Sequence, residues 1–279
     1  MREKGTDEAE MRYRMLVLDI DGTSTNSQKE VLEETRQSVI RIQEKGVGVI
    51  LASGRPPQGV YPVAEALEFG RFGGCILAFN GAKGIEYKTR RCLFEKTLPT
   101  HIPGQLQREA RKHGLGMFAY LPDSLAAGTE PDPYMELESR ISGLPVEAWT
   151  DLSAGLPPVH ECVLTGPGEE LEILEPTIAR RYLHEVQIFH SEPYFLEVTP
   201  KNVDKAYGLN HLLRRLNVGW EEVVCCGDSF NDISMLRLAG VGVAMKNGCE
   251  ELKLVADYVT EQDNNHNGIV EVIRRFFTS

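Results

Sequence analysis

The chain lacks several features that would settle a function class early. It has no apolar run longer than a strand; MLVL and VGVAM are typical, so no membrane span is expected. It has no basic excess: 30 Lys and Arg stand against 41 Asp and Glu, a net charge of −11. With no basic run or aromatic-basic stripe either, nucleic acid and anionic membranes are not expected partners. It has no CxxC spacing. The six cysteines (Cys75, Cys92, Cys162, Cys225, Cys226, Cys249) fall mostly in apolar stretches, which suits reduced thiols in a cytoplasmic protein rather than disulfides or zinc ligands. The densely charged start, MREKGTDEAEMRYR, lacks the apolar segment of a signal peptide.

What is present reads as an ordinary globular protein. Of 279 residues, 42% are hydrophobic and 25% charged, enough for one large domain or two modest ones with a sizeable core. Short apolar runs alternate with helical patterns: MLVLDI, a helix over about 29–45, VGVILAS, a helix around 60–67, then CILAF. That order predicts a parallel sheet with right-handed crossovers. From Gly84 to Ser191 the texture changes, with more Pro and Glu, strands at GMFAYL and ECVLTG, helices near 101–113 and 169–183, and a hairpin around 190–193. The alternation then resumes to a closing helix at 268–277. The expected architecture is α/β: a Rossmann-like parallel core over residues 1–83 and 192–279, with an inserted α+β domain over 84–191.

Three strands end in polar residues. MLVLDIDGT delivers Asp19 and Asp21, VGVILASGR delivers Ser53, and EVVCCGDSFND delivers Asp228, with Asn231 and Asp232 beyond. Ligands of open α/β sheets bind outside the carboxyl ends of the strands, so the three tips can converge. Each fragment alone also has a plain reading. DGT suits a turn and Asp232 a helix start, while Lys205 suits a solvated first turn.

Taken in order, D19-I-D21-G-T23, S53-G-R55, K205 and G227-D228-S-F-N231-D232 resemble the signature of the haloacid dehalogenase (HAD) superfamily. An insertion between Ser53 and Lys205 is similar in position to the α/β cap of its Cof-like subfamily IIB, and FNGA, VGVAMKNG and NHNGIVEVI are family-like too. The resemblance implies a Mg²⁺-dependent phosphatase acting through an aspartyl-phosphate. Four carboxylates and a phosphate dianion repel one another unless a hard cation joins them. By resemblance, Mg²⁺ is held by Asp19, the backbone carbonyl of Asp21, and Asp228, with Asp232 ligating directly or through water. Asp19 attacks phosphorus, Asp21 shuttles the proton, and Lys205 adds a second positive charge. Ser53 and the N–H groups near Gly22 and Gly54 hold phosphate oxygens, and Asn231 and Asn80 orient the site. Arg55 either binds substrate or pairs with an acid of the cap. Lys246 stands where relatives often have Gly.

The expected substrate is a small phosphorylated metabolite, a sugar or polyol phosphate. Two other readings are a phosphomutase or phosphotransferase of the phosphomannomutase type, and a low-turnover binding protein using the cap. Monomer and homodimer are both compatible. Polar candidates on the cap are His101, Asp123, Glu130, Arg140, His160 and His190.

Overall fold

The run Met15–Leu18 is apolar throughout because strands flank it on both sides and helices cover both faces of its sheet. A computed structural model describes residues 12–277. Most of the charged opening stretch, residues 1–11, lies outside the described residues.

In chain order the first core segment runs β1 (Met15–Leu18), α1 (Glu33–Glu44), β2 (Gly48–Ala52), α2 (Pro57–Ala66), α3 (Phe69–Phe72), β3 (Cys75–Ala78), β4 (Lys83–Glu86) and β5 (Cys92–Glu95). The cap follows with α4 (Ile102–His113), β6 (Gly116–Tyr120), β7 (Leu125–Ala127), α5 (Pro133–Ser142), β8 (Val146–Ala148), β9 (Cys162–Thr165), α6 (Gly168–Arg181), β10 (Val186–Glu192) and β11 (Phe195–Pro200). The core then resumes with α7 (Lys205–Leu216), β12 (Val223–Gly227), α8 (Ile233–Leu238), β13 (Val241–Ala244), α9 (Glu250–Lys253), β14 (Tyr258–Val259) and α10 (Gly268–Phe276).

The core sheet has the order β14-β13-β12-β1-β2-β3-β4-β5. All of its pairs are parallel from β14 through β3; β4 and β5 add an antiparallel edge. The chain moves outward from β1 in one direction through β2 and β3, and later in the other through β12 and β13. β1 therefore marks the switch point where a ligand crevice opens. Leu16 and Leu18 pack with Val39 and Ile42 of α1 and with Ile269 and Ile273 of α10. Val17, on the opposite face, packs with Leu209 and Leu212 of α7 and with Met235 of α8. Each such fully buried aliphatic side chain stabilises the fold by about 1.5–3 kcal/mol relative to exposure.

The cap sheet has the order β10-β11-β9-β6-β7-β8. Alternation sorts its side chains. Met117, Ala119, Cys162, Leu164, Leu196 and Val198 face α4 and α6. Phe118, Val163 and Phe195 face the other way, with Met135 of α5. That second face also turns toward the core. Tyr120 lies 5.7 Å from Phe79, ring centre to ring centre, and His160 stacks on Phe79 at 5.0 Å. Gln58 of α2 donates to the Pro122 carbonyl, and Gln187 donates to that of Val203.

The sheets do not divide at 84 and 191 as the sequence suggests. β4 and β5 keep the chain in the core sheet to Glu95, and β11 keeps it in the cap sheet to Pro200. The hairpin β4–β5 is an edge with one exposed side, so it lacks the continuous apolar texture of the inner strands. Lys96 Nζ donates to the Lys201 carbonyl at 2.6 Å, which ties the two connecting segments together. All six cysteines are free thiols. Among the described residues no helix is long and apolar enough to cross a membrane.

Candidate active site

Parallel register brings the polar tips together. Leu18 pairs with Cys226 on one side and Leu51 on the other, and the Asp19 N–H donates to the Cys226 carbonyl at 3.0 Å. The residues that leave the sheet next, Asp19, Ser53 and Asp228, thus emerge side by side at the carboxyl edge. A separate cleft, lined by Gly48, Gly74, Arg91 and Arg215, holds none of them.

Beyond Asp19 the chain turns sharply, with Gly22 at φ 75°. A Cβ at Gly22 would overlap the carboxylate of Asp228, so close approach as well as left-handed backbone requires glycine. Gly22→Ala is expected to cost about 1–2 kcal/mol for the backbone alone and to displace Asp228. Thermal unfolding should show a lower midpoint than the native chain; an unchanged midpoint would contradict this geometry. Thr23 Oγ1 donates to Asp228 Oδ1 at 3.2 Å, and Asn247 Nδ2 donates to the Gly22 carbonyl at 2.8 Å.

Lys205 is the first residue of α7. Asp204 caps that helix, accepting from the Tyr207 N–H at 2.7 Å. The Lys205 side chain is fully buried, and its Nζ donates to Asp19 Oδ1 and to Asp232 Oδ1, each at 2.5 Å. The other oxygen of Asp232 accepts the N–H groups of Asp228 and Ser229, both at 3.0 Å. Asp232 is thereby spent on holding Lys205 and the Asp228 turn.

The electrostatics follow from three carboxylates around one ammonium. Burial pushes Asp19 well above the usual carboxylate range; Lys205 opposes that shift, and Asp232 and Asp228 add to it. Burial first and Asp232 second push Asp228 up to about 6. Burial alone would lower Lys205, but Asp19 and Asp232 outweigh it and raise it above its ordinary value. Asp19, Asp228 and Asp232 are the set of acids among the described residues whose ligand atoms all lie within 4.8 Å of one another. One ammonium leaves negative charge uncompensated there, and oxygen ligands around such a deficit suit a hard divalent cation.

Asp21 takes a different direction. Arg55 grips it with Nε and Nη2, at 2.7 and 2.6 Å, and Lys29 Nζ reaches it at 2.5 Å. Burial raises its pKa, but Arg55 and Lys29 outweigh that and hold it below the usual range. Its side chain is thus outside the three-acid cluster, and Arg55 pairs with this core acid rather than with one on the cap. Lys29, which the sequence pattern places at the start of a helix, instead sits in a loop at φ 65°, ahead of α1. Ser53 is buried, its Oγ accepting from the Arg55 N–H at 3.1 Å. Asn231 Nδ2 donates to Asn80 Oδ1 at 2.8 Å, and Asn80 lies against Gly54. Lys246 is exposed, and its N–H donates to Thr260 Oγ1 at 2.9 Å.

On the cap, the sequence candidates mostly fall away from this centre. His101 pairs with Glu185 at 3.2 Å and His190 with Glu175 at 3.3 Å, while Asp123, Glu130 and Arg140 are exposed. Only His160 of those six has a ring stacked on the core, where it also meets Glu95 at 3.0 Å. Three buried or half-buried cap acids, Glu138, Glu161 and Glu197, are not among those sequence candidates. For two of them the available signal was a single glutamate beside or within an otherwise apolar run, in ECVLT and FLEVT; Glu138 lies on α5.

A carboxylate thus stands at the switch point of a parallel α/β sheet, bonded to a buried lysine and beneath an inserted domain. A family model of haloacid dehalogenase-like hydrolases matches residues 16–273, and the chain belongs to that family. A haloacid dehalogenase-like hydrolase from Bacteroides thetaiotaomicron is 38% identical, with a TM-score of 0.89 over 94% of this chain and 99% of that one. The 5-amino-6-(5-phospho-D-ribitylamino)uracil phosphatase of Bacillus subtilis is 28% identical over 265 residues, 94% of this chain and 95% of its own. A HAD subclass IIB sugar phosphatase shares the fold, with a TM-score of 0.79 at 23% identity over 95% of this chain and 99% of that one.

Proposed function

We propose that the chain is a Mg²⁺-dependent phosphatase that hydrolyses small phosphorylated metabolites, sugar or polyol phosphates, through an aspartyl-phosphate. The observation that carries this reading is the buried Lys205 bridge between Asp19 and Asp232 beside Asp228. Lys205 occupies one oxygen of Asp19 and leaves the other to attack phosphorus. Carboxylate nucleophiles of this kind divide one hard displacement into two easier ones. The Ser53 hydroxyl and the N–H groups near Gly22 and Gly54 hold the phosphate oxygens, and Asn231 with Asn80 fixes the rim of the loop.

Asp21 deprotonates the water that releases phosphate from Asp19. Its ionised state beside Arg55 and Lys29 suits that second step. In the first step it hands a proton to the leaving alcohol, which requires Arg55 to loosen its grip. Asp19, the Asp21 carbonyl and Asp228, with Asp232 behind them, would hold Mg²⁺, which when bound would supply charge neutralisation for the phosphate dianion. The substrate class draws support from one relative named for a phosphorylated ribitylaminouracil and from a fold neighbour named a sugar phosphatase.

Asp228 gives a pH test. Its folded pKa, about 6, lies above the ordinary 3.8, so its own contribution to stability is present below the lower value and lost as pH rises through the upper one. A cation that needs the carboxylate acts in the opposite sense. The melting-temperature gain from added Mg²⁺ is expected to grow as pH rises through about 6 and to vanish in Asp228→Asn. Scanning fluorimetry with and without MgCl₂ from acid to neutral pH measures it; a gain independent of pH, or retained in the variant, would contradict the assignment. Phosphate release from an aryl phosphate, with and without Mg²⁺, tests the activity itself.

A further inference from the structure

The cap face turned toward the core carries three acids, Glu138, Glu161 and Glu197, that form no ion pair among the described residues. The β6–β9 register, continued one pair past the strand end, sets Tyr120 opposite Glu161. The β11–β9 register, continued likewise, sets Thr199 opposite Glu161 on the other side. Glu197 shares the Thr199 face of β11, and Glu138 reaches the Tyr120 hydroxyl from α5. Glu138 and Glu161 are buried, and Glu197 is partly exposed. Arg55 lies close enough to act on Glu138 while holding Asp21, which links this face to the proton-transfer end of the site.

Two observations say that this group is built for something. Among the described residues, no Lys, Arg or His forms an ion pair with Glu138, Glu161 or Glu197. Burial and the neighbouring carboxyls raise Glu161 well above the usual range with no cation opposing, and its side-chain hydrogen bond to Glu197 leaves the two carboxyls sharing a proton where a cation would otherwise stand. Independently, Thr199 is 1% exposed and, among the described residues, its Oγ1 has no hydrogen-bond partner. A buried hydroxyl left unpaired costs about 1–3 kcal/mol and points to a missing partner. A bare metal ion is a poor candidate, because these acids do not bring three ligand atoms within the 4.8 Å that Asp19, Asp228 and Asp232 achieve. A neutral polyol would supply hydroxyls but no positive charge.

We infer that the alcohol half of the substrate carries a protonated aliphatic amine, which sits against Glu161, Glu197 and Glu138 beside the Thr199 hydroxyl. The ammonium supplies the missing charge and donates charge-assisted hydrogen bonds to the carboxylates. This rests on the phosphatase reading above and narrows its substrate to amino sugar or amino polyol phosphates.

The test is a set of matched phosphomonoesters that differ by one hydroxyl exchanged for an amine: a hexose 6-phosphate against its 2-amino counterpart, and a triol phosphate against its amino-diol counterpart. The amino member is expected to be preferred by about tenfold or more in kcat/KM. In Glu161→Gln and Glu197→Gln that ratio should fall toward one, with the neutral member as internal reference for a folded enzyme. A native ratio of one or less in every pair overturns the inference, whatever the variants do, and so does a high ratio unchanged in both variants. Aryl phosphate hydrolysis keeps the two levels apart. If it is present with a ratio of one, only the amine falls; if no phosphate is released from any ester, the phosphatase reading falls as well.

Discussion

Asp19→Asn should abolish phosphate release while leaving the fold intact. The amide cannot attack phosphorus, so kcat is expected to drop by roughly 10⁴-fold, about 5 kcal/mol of transition-state stabilisation. Stability should move little. Asp19 is buried and repelled by Asp232 and Asp228, and only Lys205 favours its charge. Removing that charge relieves repulsion and loses one partner of Lys205, which keeps Asp232 at 2.5 Å. The two effects oppose, and the unfolding free energy should stay within about 1 kcal/mol of that of the native chain. Steady-state phosphate release and thermal unfolding on the same preparation measure both. Turnover at the native rate, or a collapse of stability alongside activity, would remove Asp19 from its role.

Lys205→Met should do the reverse to stability. It removes the ammonium that faces two buried carboxylates, leaving Asp19 and Asp232 uncompensated. Breaking one side of a buried pair costs about 3–5 kcal/mol. The loss should be steeper in alkaline than in acidic buffer. Without Lys205, Asp19 loses the cation that opposes its burial and stays raised, the folded state binds more protons than the unfolded chain, and stability falls as pH rises. Denaturant unfolding at about pH 5 and 8 measures the difference; an equal loss at both would mean that the carboxylates are not the cause. Activity should fall along with stability at either pH.

The parts of this site legible in the sequence share one property. Asp19, Ser53 and Asp228 each follow directly on an apolar strand, and parallel register makes the ends of adjacent strands coincide. Lys205 alone reads as a solvated first-turn lysine; the family resemblance placed it in the site, and its burial comes from where α7 begins. The grip of Arg55 and Lys29 on Asp21 was not readable, because it depends on loop geometry and on a left-handed residue at Lys29. The cap glutamates were hidden for a different reason. Glu161 and Glu197 come together only through the β9–β11 pairing, across a long stretch of chain, and each alone looks like a polar interruption of a strand. The edge hairpin β4–β5 was misplaced because short, half-exposed strands carry little periodic signal.

The central claim is that Asp19 itself takes the phosphoryl group. Acid quenching during turnover of an aryl phosphate with Mg²⁺, followed by peptide mass analysis, tests it most directly. A phosphoryl mass on the peptide containing Asp19, absent from Asp19→Asn, is the expected result. Steady phosphate release with no phosphorylated Asp19 peptide, and release that persists in Asp19→Asn, would contradict it.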